Sequence, residues 1–248
     1  MGVVGDELQK FKRLVNKEYD LVMLIQSDWV KPLFRVILIM VAYVSIGARS
    51  CAADEWQQLF NGTDLMGWRA NVMPESFSVV DGCIRANATK ASAHLFYIGA
   101  NEERFMRFKD FELELSVRSE SNSNSGVFIH TDLSTRDKAL HLAKGYEIQL
   151  NSTEREKRKT GSLYAVVDLD QSPVDESQWF RVRITVRGKR IMVHLNDHQV
   201  IDYTEPDGVQ RPAKRSGRLL NPEGGGIALQ AHDPGSIFYF KDIRIRTF

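Results

Sequence analysis

The sequence predicts an all-β protein built as a single two-sheet antiparallel sandwich, and three observations predict it. After Asp54 the chain breaks into roughly a dozen short segments whose apolar and polar residues alternate with the period of a strand that buries one face. Between them stand turn signals such as Asn61-Gly62, Asp81-Gly82 and Gly188-Lys189, drawn from 17 glycines. No stretch after Asp54 holds the apolar period of a helix. A chain of 248 residues, 43% hydrophobic and 26% charged, has the material for one large all-β core.

Ahead of the sandwich, residues 1–53 read as a leader. Residues 1–30 carry a weakly helical mix of charged and apolar residues. Lys31 and Arg35 then precede an apolar run over residues 36–46, and the small residues of GARSCAA follow. A basic flank, a run of roughly 7 to 15 apolar residues and a small-residue exit describe a secretory signal peptide. The run is short for a membrane span, which needs about 20 apolar residues. Cleavage near Ala53 is expected, and the leader's length suggests that translation starts later, at Met23. The product would be secreted or periplasmic; the alternative is a domain held at the membrane by an uncleaved amino-terminal segment.

Residues 54–248 are read as the domain. WQQLFNGTDLMGWRA opens it as an entry segment whose Trp56, Leu59, Phe60, Leu65 and Trp68 are pinned against the core. FSVVDGCIRA is a hairpin turned by Asp81-Gly82, and a short strand follows at Leu95 to Ile98. In DFELELSVR, Phe111, Leu113, Leu115 and Val117 alternate with Glu112, Glu114, Ser116 and Arg118. The Ser/Asn run from Ser119 to Ser125 is a turn or loop, and Gly126 to Ile129 turns apolar again. GYEIQL alternates Tyr146, Ile148 and Leu150 with Glu147 and Gln149 and reads as a central, well-covered strand. TGSLYAVVDL from Thr160 is a further strand. WFRVRITVRGKRIMVHLN is a hairpin about Gly188-Lys189, and Asn196-Asp197 turns it into Val200 to Tyr203. A long loop from Thr204 to Gly225, with three prolines and Arg211, Lys214, Arg215 and Arg218, interrupts the series as a solvated basic segment. GIALQAH and IFYFKDIRIRTF close the chain.

Charge and composition exclude several classes. With 33 basic and 32 acidic residues the net charge is +1, so no global field favours nucleic acid, and a membrane enters only through the leader. Cys51 and Cys83 are too few for a disulfide framework. The six histidines are scattered, and neither HExxH, CxxC, a Gly-rich phosphate loop nor a GxSxG elbow occurs. No metal site and no cofactor are expected, with a divalent ion left open.

Two strand-borne pairs, Glu112 with Glu114 and Glu147 with Gln149, carry candidate chemistry. Glu112 and Glu114 share a strand face and could serve as paired glycosidase carboxylates, about 5 to 9.5 Å apart; the other reading is an outer face balanced by Arg118 and the arginines of Phe180 to Arg187. Glu147 shares a face with Gln149, with Asn124 and Ser125 at the rim. Burial there would push a carboxylate toward general-base behaviour. His232, at a strand end before Asp233-Pro234-Gly235, can reach a cleft. Tyr164 and His130 are lesser candidates. Trp56, Trp68 and Trp179 look like core, which leans away from a lectin-like aromatic platform.

Taken together and in order, LFNGTDLMGW, DFELELSVR, NSGVFI, GYEIQL, TGSLY, QWFRVRITVRG, HLND, GGIALQAH and FKDIRI resemble the 3-keto-disaccharide hydrolase domain family, common in secreted bacterial proteins. The resemblance covers about Leu59 to Phe248. It implies a concanavalin A-like jelly roll acting on sugars oxidised at C3, with cleft residues at Asn124, Glu147, Gln149, Tyr164, Gln230 and His232. This chain departs from the family in having His130 where Arg is frequent, and Asp-Pro-Gly after His232. The expected roles are catalysis by Glu147 and His232 and sugar binding by Asn124, Gln149, Tyr164, Gln230 and His130, with an oligosaccharide or oxidised sugar as partner. The alternative is a non-catalytic carbohydrate-binding module.

Overall fold

The computed structural model describes residues 55–90, 92–99 and 104–248; the expected leader lies outside them. Among the described residues the strands run β1 (Gln57–Gln58), β2 (Trp68–Ala70), β3 (Phe77–Val80), β4 (Cys83–Asn87), β5 (Ala93–Tyr97), β6 (Phe111–Ser119), β7 (Asn124–Thr131), β8 (Tyr146–Asn151), β9 (Phe180–Arg187), β10 (Arg190–Leu195), β11 (His198–Thr204), β12 (Gly226–Ala231) and β13 (Ile237–Thr247). The described helical structure is two single-turn 3-10 segments, Pro74–Ser76 and Ala213–Arg215. The strands form two antiparallel sheets. One has eight strands in the order β11-β10-β9-β6-β13-β4-β3, with β1 beside β13, and the other has five in the order β2-β5-β12-β7-β8.

Alternation decides what each sheet buries. Phe111, Leu113, Leu115 and Val117 of β6 face Val127 and Ile129 of β7 and Ile148 and Leu150 of β8 within one core. Each such side chain contributes about 1.5–3 kcal/mol on burial, so a one-residue slip that turned four outward is strongly disfavoured. Two irregularities re-aim side chains. In β13 the register against β6 shifts between Lys241 and Arg244, with Asp242 at φ 52°, which keeps Phe240 and Ile243 both inward. In β7 a shift against β12 falls at Ile129 and His130, and His130 sits at φ 52°.

Several expectations are corrected. β8 is not central; it is the last strand of its sheet. TGSLYAVVDL is not a strand. It covers the open edge of β8 through Gln149 N–H to Ser162 O, Gly161 N–H to Gln149 O and Tyr164 N–H to Glu147 O, each 2.9 Å. Positive φ at Gly161 and Ala165 bends it away from a continuous ladder. The polar run expected as a loop over Ser119 to Ser125 is shorter, because Ser119 ends β6 and Asn124 and Ser125 begin β7. Trp68 is core, and its indole donates to Leu59 O at 2.7 Å. Trp179 is 40% exposed and Trp56 half-buried. Lys241 lies over the Trp179 ring at 4.3 Å and Arg244 over the Trp56 ring at 4.4 Å, on the outward face of the larger sheet. Cys83 is free and buried.

Candidate active site on the five-stranded sheet

Because Tyr146, Ile148 and Leu150 take the core, β8 turns Glu147 and Gln149 to the outward face of the smaller sheet. The β7 to β8 register sets Phe128 opposite Glu147 and Gly126 opposite Gln149. β12 sets Ala228 opposite both Phe96 and Phe128, and Gln230 opposite His94. Two rows therefore cross the sheet side by side. One reads Phe96, Ala228, Phe128, Glu147; the other reads His94, Gln230, Gly126, Gln149.

Glu147 is 5% exposed and is met by Arg218, itself 1% exposed, whose Nη2 donates to Glu147 Oε2 at 2.6 Å. A full positive charge at that distance means that burial does not leave the carboxylate as a lone charge. Arg218 also donates to Gly145 O at 3.3 Å, and its guanidinium lies 5.4 Å from the centre of the Phe128 ring. The other carboxylate oxygen, Oε1, lies over Gly126: a Cβ there would be 3.0 Å from it. Glycine at this position is what gives the carboxylate its room.

Beside it, Gln149 Nε2 donates to Asn124 Oδ1 at 3.0 Å, while Gln149 Oε1 is buried without a partner. Gln230 Nε2 lies 3.3 Å from His94 Nε2, and Gln230 Oε1 and His94 Nδ1 are also buried and unpartnered. Burial, with the charges of His141, His232 and Arg218 behind it, depresses His94 to about 3, so the ring is neutral. Such buried, unmatched polar atoms cost on the order of 1–3 kcal/mol each, and gathered on one face they suit a ligand rich in hydrogen-bonding groups.

Four loops wall this floor. The 132–144 segment brings Arg136, Asp137 and His141; Asp137 accepts from Arg136 at 3.0 Å and lies 2.9 Å from His141 Nδ1. His232 follows β12, with its ring 5.4 Å from that of His141 and Nδ1 3.2 Å from Asp233. Tyr164 comes from the segment along β8. Its ring is approached by Arg158, Arg215 and Arg218 at 4.7, 5.1 and 5.9 Å, and burial, then the Glu156 and Glu147 charges, raises its phenol above the usual range. A cavity of about 580 Å³ opens between Arg136 and Ala143 on one side and Ala213 to Gly217 on the other. A second, about 450 Å³ and more apolar, opens at the β2 end of the same face beside Phe96, Ile98 and Phe105.

The structure thus brings Asn124, Glu147, Gln149, Tyr164, Gln230 and His232 to one face. His130 is not there. The irregularity in β7 turns its ring onto Phe111, 6.1 Å between centres, where it contacts Lys109 O at 2.9 Å and the Asn221 backbone, tying two loops together. The Glu112 and Glu114 pair belongs to the opposite side of the molecule and is matched by arginines, Glu114 by Arg183 and Arg244 at 2.8 and 2.6 Å and Glu112 by Arg246 at 3.1 Å. The basic loop is not wholly solvated, since Arg218 is among the most buried side chains described. Arg218, His94, Phe128, Arg136 and His141 are site residues that the sequence reading passed over. His94 alone left a signal, its place on a strand in AHLFY. Among the described residues no group of three or more His, Cys, Asp and Glu side chains is gathered where it could hold a metal ion.

The sandwich is shared with solved structures. A Parabacteroides distasonis protein designated a glycosyl hydrolase superposes with a TM-score of 0.63 at 19% identity, over 79% of this chain and 95% of that one. A Bacillus subtilis protein with a galectin-like fold superposes with a TM-score of 0.53 at 14% identity, over 80% and 97%. These likenesses show the jelly-roll fold. In sequence, the chain is 24% identical over 231 residues to the 3-keto-disaccharide hydrolase of Bacteroides thetaiotaomicron, spanning 79% of each chain. The model of the 3-keto-alpha-glucoside-1,2-lyase-like domain matches residues 55–246, and the chain belongs to that family.

Proposed function

We propose that this protein cleaves the glycosidic bond of sugars oxidised at C3, with Glu147 as the base. The observation that carries the reading is the floor of the site, where Glu147 has one oxygen held by Arg218 and the other free over Gly126. A ketone at C3 acidifies the proton on C2. Glu147 Oε1 takes that proton, and the electron pair moves onto the C3 oxygen as an enolate. Arg218, Tyr164 and the amides of Asn124 and Gln149 supply positive charge and donors there. The enolate then reforms the ketone while the C1–O bond breaks, leaving a C1=C2 double bond, and His232 gives the departing oxygen its proton. Addition of water across the double bond completes a net hydrolysis. The family's lyase-like designation and the name of the Bacteroides relative support this chemistry. Secretion through the 1–53 leader is part of the proposal, and the mature amino terminus, read by mass spectrometry, should fall near Ala53.

The test is to incubate the protein with 3-keto-disaccharides and their unoxidised parents, with and without chelator, and to assay free sugar. Release from the keto substrates alone is expected, with Glu147→Gln lowering kcat by about 10²- to 10⁴-fold in protein whose near-ultraviolet circular dichroism is unchanged. Wild-type turnover by Glu147→Gln would remove the base assignment. Sugar binding without release from any substrate would replace the enzyme by the carbohydrate-binding module.

A further inference from the structure

We infer that the cavity between Arg136 and Gly217 is a subsite for an acidic sugar, one whose carboxylate is read by Arg136 and Arg215; this rests on the proposed reading of the same face as a keto-glycoside site. The cavity is lined by Arg136, Lys214 and Arg215, with Arg218 immediately after Gly217. Three cationic side chains line it, Arg136, Lys214 and Arg215, against one carboxylate, Asp137. Glu147 already holds Arg218, and Asp137 is divided between Arg136 and His141. Arg215 donates only to Tyr164 Oη at 3.4 Å and Lys214 O at 3.3 Å, and among the described residues neither it nor Lys214 has an ion-pair partner.

Several arginines of the eight-stranded sheet are matched, Arg181 by Asp197, Arg190 by Asp202 and Arg183 by Glu114, in a chain whose net charge is +1. The unmatched cluster is also partly buried. The Nε atoms of Arg136 and Arg218 are buried without partners. Burial lowers Arg136 from the usual arginine range and the neighbouring Arg215 charge lowers it further. The same two kinds of influence act on Arg218, burial first and then, against the pull of Glu147, the charges of Arg136 and Arg215.

Neutral hydroxyls do not offset the repulsion among like charges held this way, whereas a carboxylate does, and the planar fork of a guanidinium matches it with two parallel hydrogen bonds. A neutral sugar would be served by the Asn, Gln and His side chains of the floor alone. The arginine cluster adds a demand for negative charge at one end of the bound ligand.

The test is calorimetric binding of D-glucuronate, D-glucose 6-phosphate, inorganic phosphate and D-glucose to the full chain. Glucuronate is expected to bind at least about tenfold tighter than glucose, with the advantage shrinking as ionic strength rises from about 0.02 to about 0.3 M. Arg215→Met, at a half-buried loop position, should abolish that advantage while leaving glucose binding unchanged. Equal binding of glucuronate and glucose would overturn the inference, as would tighter binding of either phosphate than of glucuronate. A second arm compares kcat/KM for a neutral 3-keto-disaccharide and its uronic acid counterpart. Glucuronate binding without turnover of either keto substrate would sink the proposed reaction and keep the subsite. Equal turnover of the two, without selective glucuronate binding, would keep the reaction and sink the subsite.

Discussion

Gly126 shows how narrowly the site is drawn at the level of single residues. A Cβ there would stand 3.0 Å from Glu147 Oε1 and 3.1 Å from its Cγ, so the carboxylate would have to give way by a few tenths of an ångström. Gly126→Ala is therefore expected to lower stability by no more than about 1–2 kcal/mol but kcat by about tenfold or more, since small misplacements of a reacting group are costly. Paired kinetics and urea unfolding check the split, and an activity loss no larger than the stability loss implies would count against Glu147 as the base. His94 makes a different statement. Unfolded, an imidazole takes a proton near 6.5; folded, burial first and then the nearby His141, His232 and Arg218 charges hold this one back until about 3. Between those values the unfolded state binds more protons, so stability falls as pH falls, by at most about 1.4 kcal/mol per pH unit from this group. Unfolding free energies of wild type and His94→Gln between about pH 6 and pH 4.5 should differ in slope by up to one proton, the wild type being steeper. Equal slopes would mean that folded His94 protonates freely. That Glu147 and Gln149 share an outward face was legible from alternation, and the place of Gln230 and His232 at the end of a strand from the residues around them. His130 was misread because a one-residue irregularity in β7 reverses a side chain's face, and nothing in NSGVFIHT announces it.

Among the elements, the long segment between β11 and β12 was the least legible and matters most to the site. Three prolines and scattered arginines carry no period, so a solvated loop was the natural expectation. What fixes the segment is contact with side chains far off in sequence. Arg211 donates to Tyr146 Oη at 2.9 Å, to Tyr203 Oη at 2.5 Å and to Arg218 O at 3.0 Å, and Glu205 accepts from Tyr146 Oη and from Leu220 N–H. Gly217 then packs so closely that a Cβ would fall 2.2 Å from Ala143 O, with Gly145 N–H donating to Gly217 O at 2.9 Å. This clamp delivers the Arg218 guanidinium to Glu147. Arg211→Met should cost about 1–3 kcal/mol of stability, expose the 205–225 segment to limited proteolysis and lower kcat, while far-ultraviolet circular dichroism stays that of the sandwich. Unchanged proteolysis would mean that the loop holds without this anchor. The strands that packed on one face alone, β6, β9 and β10, were legible in type and buried side, because a single alternation determined both. β8 was recognised as a strand but misplaced as central, since an edge covered by a non-strand segment leaves the same alternation as a paired one.

On the scale of the whole molecule, the outward faces of the two sheets do different things, and two polar pairs that looked alike in sequence, Glu112 with Glu114 and Glu147 with Gln149, are sorted by it. Glu112 and Glu114 each follow the alternation of β6, and their neighbours in space are the arginines of β9 and β13. On Glu114, burial pushes the carboxyl up, but hydrogen bonds and charges from Arg244 and Arg183 outweigh it and leave the group below its usual value. Those pairs are satisfied within the sheet and leave neither oxygen of Glu114 unbonded. On the smaller sheet, by contrast, Glu147 has one unclaimed oxygen among buried unpartnered amide and imidazole atoms. A matched ladder stabilises; an unmatched floor waits for a ligand. Glu114→Gln should therefore destabilise the protein by about 1–3 kcal/mol, a range lowered from that of a fully buried pair because both arginines are partly exposed. Its stability loss should fade as pH falls toward the folded carboxyl's own titration, because the stability conferred by a depressed carboxyl is present above its unfolded value and is lost as the folded form is protonated. Its kcat and KM toward 3-keto substrates should stay within about twofold of wild type, a difference of no more than about 0.4 kcal/mol. A drop in kcat comparable to that of Glu147→Gln would reverse the assignment and move the chemistry to the eight-stranded sheet.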